Sequence, residues 1–176
     1  MKTSQFKLAS ALVALALTAC TTTQKTTETA PPPPVPTPVL SMNELQSSLG
    51  MDRSPTELGY EERTFDSCNT RYTENENCGH RQLVVIHLRM QCRDSTGTVS
   101  EVNRIQPIAS KNVKWNLGAL EGTVTTDDEG YGQIRTVASV SPRNQRLRLT
   151  IAKKYLGLTA SEAQRIVTPG DWCGRR

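Results

Sequence analysis

Hydrophobic side chains recur at every second position over several stretches of this chain. Between Leu83 and Cys92, Val84, Ile86, Leu88, Met90 and Cys92 alternate with Val85, His87, Arg89 and Gln91. Successive side chains of an extended backbone point to opposite faces, so this pattern predicts a strand with one face in a core and one toward water. On that reading His87 is a solvated residue of the polar face. The same period runs through Asn112–Leu117, with Val113, Trp115 and Leu117 inward, and through Arg146–Ala152, with Leu147, Leu149 and Ile151 inward. Weaker strand patterns cover residues 63–68, 98–105, 120–125 and 133–139. Seven short strands separated by turn residues predict a mainly β fold, a small antiparallel β-sandwich.

Two places break the period. Ser41 and Glu44 have the spacing of a capping box, in which each side chain satisfies the other's backbone amide. This predicts a short helix over 42–49 ending at Gly50. Thr159 and Glu162 repeat the spacing and predict a second helix over 160–166, stopped by Pro169.

The first 39 residues follow neither pattern. Lys2 and Lys7 precede an apolar stretch from Leu8 to Leu17, then Thr18, Ala19 and Cys20. That is the layout of a secretory signal over residues 1–19. Leu17-Thr18-Ala19-Cys20 resembles the lipobox of bacterial lipoproteins. The resemblance covers the first 20 residues and implies that Cys20 carries a diacylglycerol and becomes the acylated N-terminus. Several acyl chains hold a protein at a bilayer where one does not. Thr21 stands where such lipoproteins often carry an inner-membrane retention Asp. In a Gram-negative host this implies the outer membrane, facing the periplasm or the cell surface.

Residues 20–39 are rich in Thr and Pro, a composition that buries too little apolar surface to fold. Pro31–Pro38 suits polyproline II, at ~3.1 Å per residue about 25 Å of spacer. The foldable unit is then residues 40–176.

Composition narrows the classes. The 176 residues carry a formal charge of +4, too little to suggest nucleic acid. No apolar run reaches the ~18 residues of a membrane-spanning helix. Residues 41–80 hold eight acidic and three basic side chains; residues 81–176 hold eight acidic and fifteen basic.

The chain has five cysteines. With Cys20 assigned to lipid, Cys68, Cys78, Cys92 and Cys173 remain, and an oxidising compartment favours two disulfides. Of three connectivities, Cys68–Cys78 with Cys92–Cys173 is preferred: the first closes a polar surface loop and the second pins the C-terminus to a core strand. Cys68–Cys92 with Cys78–Cys173 is the alternative.

The stretch Gly122-Thr-Val-Thr-Thr-Asp127-Asp-Glu-Gly130-Tyr-Gly132-Gln-Ile134 resembles the strand–turn–strand of transthyretin-like sandwich modules, including carboxypeptidase regulatory-like domains. The resemblance extends loosely over residues 113–157. It implies a sandwich with a binding or scaffolding role and no activity.

Motifs for other chemistry are wanting. Cys68, Cys78, His80 and His87 lack zinc-ligand spacing. Asp127-Asp128-Glu129 does not continue as a calcium loop, since its twelfth position is Ala138. No nucleophile elbow or phosphate loop occurs, and Glu61 and Glu62, being adjacent, would face opposite ways in a strand. No cofactor is expected. The candidate binding residues are the basic set Arg135, Arg143, Arg146, Arg148, Lys153 and Lys154, a stretch free of acidic residues. Guanidinium groups hold carboxylate and phosphate bidentately, which suits an anionic envelope polymer or an acidic envelope protein. The expectation is a non-catalytic binding or scaffolding module anchored by lipid. An inhibitor or assembly partner of another envelope protein, or an envelope enzyme without a recognisable motif, are the alternatives.

Overall fold

A computed structural model describes residues 38–54, 56–72, 78–94 and 104–173. The signal, Cys20 and nearly all of the Thr/Pro-rich segment lie outside the described residues, as do positions 98–103 of one expected strand.

The chain forms a helix and nine strands among the described residues. They are α1 (Met42–Ser48), β1 (Gly59–Asp66), β2 (His80–Asp94), β3 (Arg104–Pro107), β4 (Asn112–Leu117), β5 (Leu120–Thr125), β6 (Tyr131–Ala138), β7 (Arg146–Ile151), β8 (Lys154–Thr159) and β9 (Arg165–Thr168). They build two sheets, a small mainly β sandwich, and two disulfides close loops around sheet A. Sheet A is organised on β2, which pairs with β1, β3, β6 and β9; sheet B runs β5-β4-β7-β8. All pairs are antiparallel except β2–β9, which is parallel.

Strand β2 holds four neighbours because it is fifteen residues long. Its first half pairs with β1 and β6, and its second half with β3 and β9. Met90 marks the handover: its amide donates to Gly130 O at 2.8 Å and its carbonyl accepts from Ile108 N at 2.9 Å.

The alternation in β2 places Val84, Ile86, Leu88, Met90 and Cys92 in the main core, as expected. There they meet Val113, Trp115, Leu117, Leu147 and Leu149 of sheet B. The opposite face is also covered. Leu83 and Val85 are fully buried, packed with Phe65, Leu45 and Met51 in a second core under α1. The helix is held by its capping box: Ser41 N donates to Glu44 Oε2 at 2.8 Å, and Glu44 N to Ser41 Oγ at 3.3 Å. The solvated position assigned to His87 is therefore corrected. It lies in the covered half of that face and is 2 % exposed.

The second expected helix, over 160–166, is also corrected. Only Ala160–Glu162 turns, as a single 3₁₀ turn. Ile166 then enters the main core from β9, whose backbone completes the edge of β2. Pairing that edge satisfies backbone groups that a helix here would leave bare. The two disulfides are Cys68–Cys78 and Cys92–Cys173. The second fastens the end of a 3₁₀ turn, Gly170–Trp172, so that Trp172 packs into the main core.

Candidate functional site

The basic residues do not form one cluster. Arg146 and Arg148 stand on the outer face of sheet B, where the register sets Asn116 beside Arg148 and Gly157 on its other side. The next row carries Lys114, Thr150 and Tyr155. Arg148 lies over the Tyr155 ring, 4.8 Å from its centroid, and Tyr155 is 64 % exposed. Arg146 lies across Gly157, where an added Cβ would come within 2.5 Å of its guanidinium. Both side chains are thus laid flat along the sheet by what lies beneath them. Glu121 is the acidic side chain of this face, at the β5 edge, and it accepts from Asn116 Nδ2 at 3.2 Å.

The other four are elsewhere. Lys153 is in the exposed β7–β8 turn. Lys154 Nζ is committed to the C-terminal turn, 2.8 Å from Asp171 Oδ2 and 2.6 Å from Asp171 O. Arg143 covers the Tyr60 ring at 5.6 Å. Tyr60 donates to Glu62 Oε2 at 2.6 Å, and Ser141 Oγ donates to the same oxygen at 2.7 Å. Burial and the Glu62 carboxylate raise the Tyr60 phenol well above its usual range. Glu61 faces the other way, as its neighbour's orientation requires, and pairs with Arg53 at 2.8 Å.

Arg135 belongs to sheet A and to a site that the strand pattern did not reveal. A cavity of about 310 Å³ opens between α1, the segment at Asp52–Arg53 and the outer face of β2 and β6. Its floor is a chain of oriented groups. Arg135 Nε donates to Gln133 Oε1 at 2.6 Å, and another guanidinium N–H donates to Asn43 Oδ1. Arginine has no acceptor, so the Gln133 carbonyl must face it and the Gln133 amide must face His87. Gln133 Nε2 stands 3.0 Å from His87 Nε2. His87 Nε2 is therefore the acceptor, and the neutral ring carries its proton on Nδ1. Burial, with Arg53 nearby, lowers the His87 pKa and keeps the ring neutral.

Gln46 lines the same cavity and is 4 % exposed. Its Nε2 donates to Met51 O at 3.0 Å, which fixes the amide's orientation. Its Oε1 is buried without a partner. A buried acceptor left unpaired costs about 1–3 kcal/mol, so such groups are uncommon in folded proteins. Among the described residues Arg135 makes no ion pair: its partners are two neutral amide oxygens. The sequence signals for this site were Arg135, as one of the basic set, and the capping box, which predicts the helix but not what it covers.

The acidic triplet before Gly130 works as a turn. Asp127 Oδ1 accepts from Glu129 N at 2.9 Å and Tyr131 N at 2.8 Å. The turn joins β5 in sheet B to β6 in sheet A, so strand, turn and strand occur as expected but in different sheets. Among the described residues no three His, Cys, Asp or Glu side chains gather as metal ligands, and no helix is long and apolar enough to cross a membrane. Comparison with protein-family models, with curated proteins and with solved structures finds no match to this chain.

Proposed function

We propose that this chain is a lipid-anchored lipoprotein of the bacterial cell envelope whose β-domain is a non-catalytic binding module for an anionic envelope partner. The anchor rests on the sequence around Cys20, and the tether on the Thr/Pro-rich segment to residue 39. The binding role rests on one observation: Arg146 and Arg148 share the outer face of sheet B with Lys114, with no acidic partner for either guanidinium among the described residues. Tyr155 and Gly157 hold the two arginines along the sheet, so little side-chain entropy is lost when a carboxylate or phosphate is bound. A four-stranded face carrying two arginines suits an extended anionic polymer or the acidic surface of a protein.

The experiment that separates this face from general surface charge replaces Arg146 and Arg148 with Gln. It compares retention on immobilised polyglutamate with a variant that loses Arg104 and Arg165 of sheet A. The face accounts for binding if the first pair weakens retention and the second does not.

A further inference from the structure

The geometry points to a second binding site, in the cavity under α1, for the carboxy-terminal residue of a peptide. It lies on sheet A, away from the arginine face of sheet B, and stands independently of the role proposed for that face.

Two unmet needs define the ligand. Arg135 is a cation without a carboxylate, held in place by Gln133 and Asn43. It calls for an anion. Gln46 Oε1 is a buried acceptor without a donor. It calls for an N–H or O–H. Asn43 and Gln46 are three residues apart on α1, so they lie on one side of the helix, about 5–6 Å from each other. Arg135 is bonded to Asn43, so the anion site and the orphan acceptor are separated by about one helical turn. A carboxylate with an amide N–H on its α-carbon spans that distance.

The rest of the cavity agrees. Its volume of about 310 Å³, at roughly 30 Å³ per water-sized group, holds about ten such groups, the size of one acylated amino acid. The other charged groups of the lining already have polar partners. Arg53 is paired with Glu61. Asp52 Oδ1 accepts from Ser47 Oγ at 3.2 Å, and Asp127 Oδ1 is taken by two turn amides. His87 offers a neutral ring whose Nε2 is occupied by Gln133. Arg135 is thus the one cation of the lining that an incoming carboxylate finds without a counter-charge among the described residues.

The test is ligand-observed saturation-transfer NMR with the full chain in detergent at neutral pH. The probes are N-acetylalanine, N-acetylalanine amide, propionate and N-acetyl-trialanine. N-acetylalanine and the trialanine peptide are expected to bind. The amide lacks the carboxylate and propionate lacks the N–H, and each is expected to bind about tenfold more weakly or not at all. Arg135→Gln, at an exposed position that leaves folding intact, is expected to lose about tenfold for N-acetylalanine, and Gln46→Leu a similar amount if it folds. Absence of saturation transfer to N-acetylalanine, or equal binding by Arg135→Gln, overturns the site. Binding of N-acetylalanine with exclusion of the trialanine peptide overturns the assignment to a peptide end.

Discussion

The side-chain amide of Gln133 donates to Nε2 of His87 across 3.0 Å, from one strand of sheet A to the next. That single bond sets the tautomer of a histidine that is 2 % exposed, and the burial of the ring, with Arg53 nearby, makes the domain sensitive to acid. A proton on Nε2 would face a second donor and would be buried beside Arg53 and Arg135, with Glu61 and Glu57 as the nearby acids. The folded-state pKa is lowered from 6.5, so the unfolded chain takes up the proton first. Stability is unaffected by this group well above pH 6.5 and falls as the pH drops below it, by no more than about 1.4 kcal/mol per pH unit for one proton. Urea midpoints measured from pH 7.5 to 5 should decline on the acid side, and less so in His87→Gln. An equal decline in the variant would assign the acid sensitivity to other groups.

His87 also shows where sequence reasoning stopped. The alternation in β2, β4 and β7 was legible because each presents one unbroken apolar face to the main core. The even number of cysteines beyond Cys20, and the polar loop between Cys68 and Cys78, made the disulfide pairing legible too. The second core was not, because α1 lies nearly forty residues before the strand it covers. His87 and Gln46 look polar in the sequence and are buried by that long-range packing. The cavity under α1 was illegible for the same reason.

Strand β8 was missed for a local reason, and it yields a prediction. β7 and β8 are joined by two residues, Ala152 at φ 43° and Lys153 at φ 72°, between Ile151 and Lys154. Two positive φ values match the tight turn that follows the twist of a hairpin, where Asn-Gly is preferred. Ala-Lys sends no turn signal and holds the conformation at some cost. Ala152→Asn with Lys153→Gly should raise stability by about 1 kcal/mol, read as an increased denaturant midpoint with an unchanged slope. A loss of stability would contradict this account of the turn.

The two disulfides differ in what they enclose. Cys68 and Cys78 are 10 residues apart, Cys92 and Cys173 are 81 apart. In the chain-entropy model the first bridge contributes about 3 kcal/mol and the second about 4.5 kcal/mol. The second also holds Trp172 in the main core. Paired Cys→Ala variants should therefore lose more stability at Cys92/Cys173 than at Cys68/Cys78, measured by urea unfolding. The reverse order would show that loop closure is not what the bridges supply.

The anchor has its own test. If Cys20 carries lipid, inhibiting the lipoprotein signal peptidase should leave a larger precursor in cells. Cys20→Ala should likewise leave the uncut precursor, without attached lipid. Unchanged size and unchanged partitioning in both would remove the anchor from the account.

The central claim is that the domain recognises an anionic partner through Arg146 and Arg148, and retention on immobilised polyglutamate at increasing salt tests it most directly. Arg146→Gln with Arg148→Gln should elute at clearly lower salt than the unaltered chain. Arg104→Gln with Arg165→Gln, equal in charge loss, should elute close to the unaltered chain. Equal elution of the two variants would contradict the account, because binding would then follow net charge rather than the arginine face of sheet B.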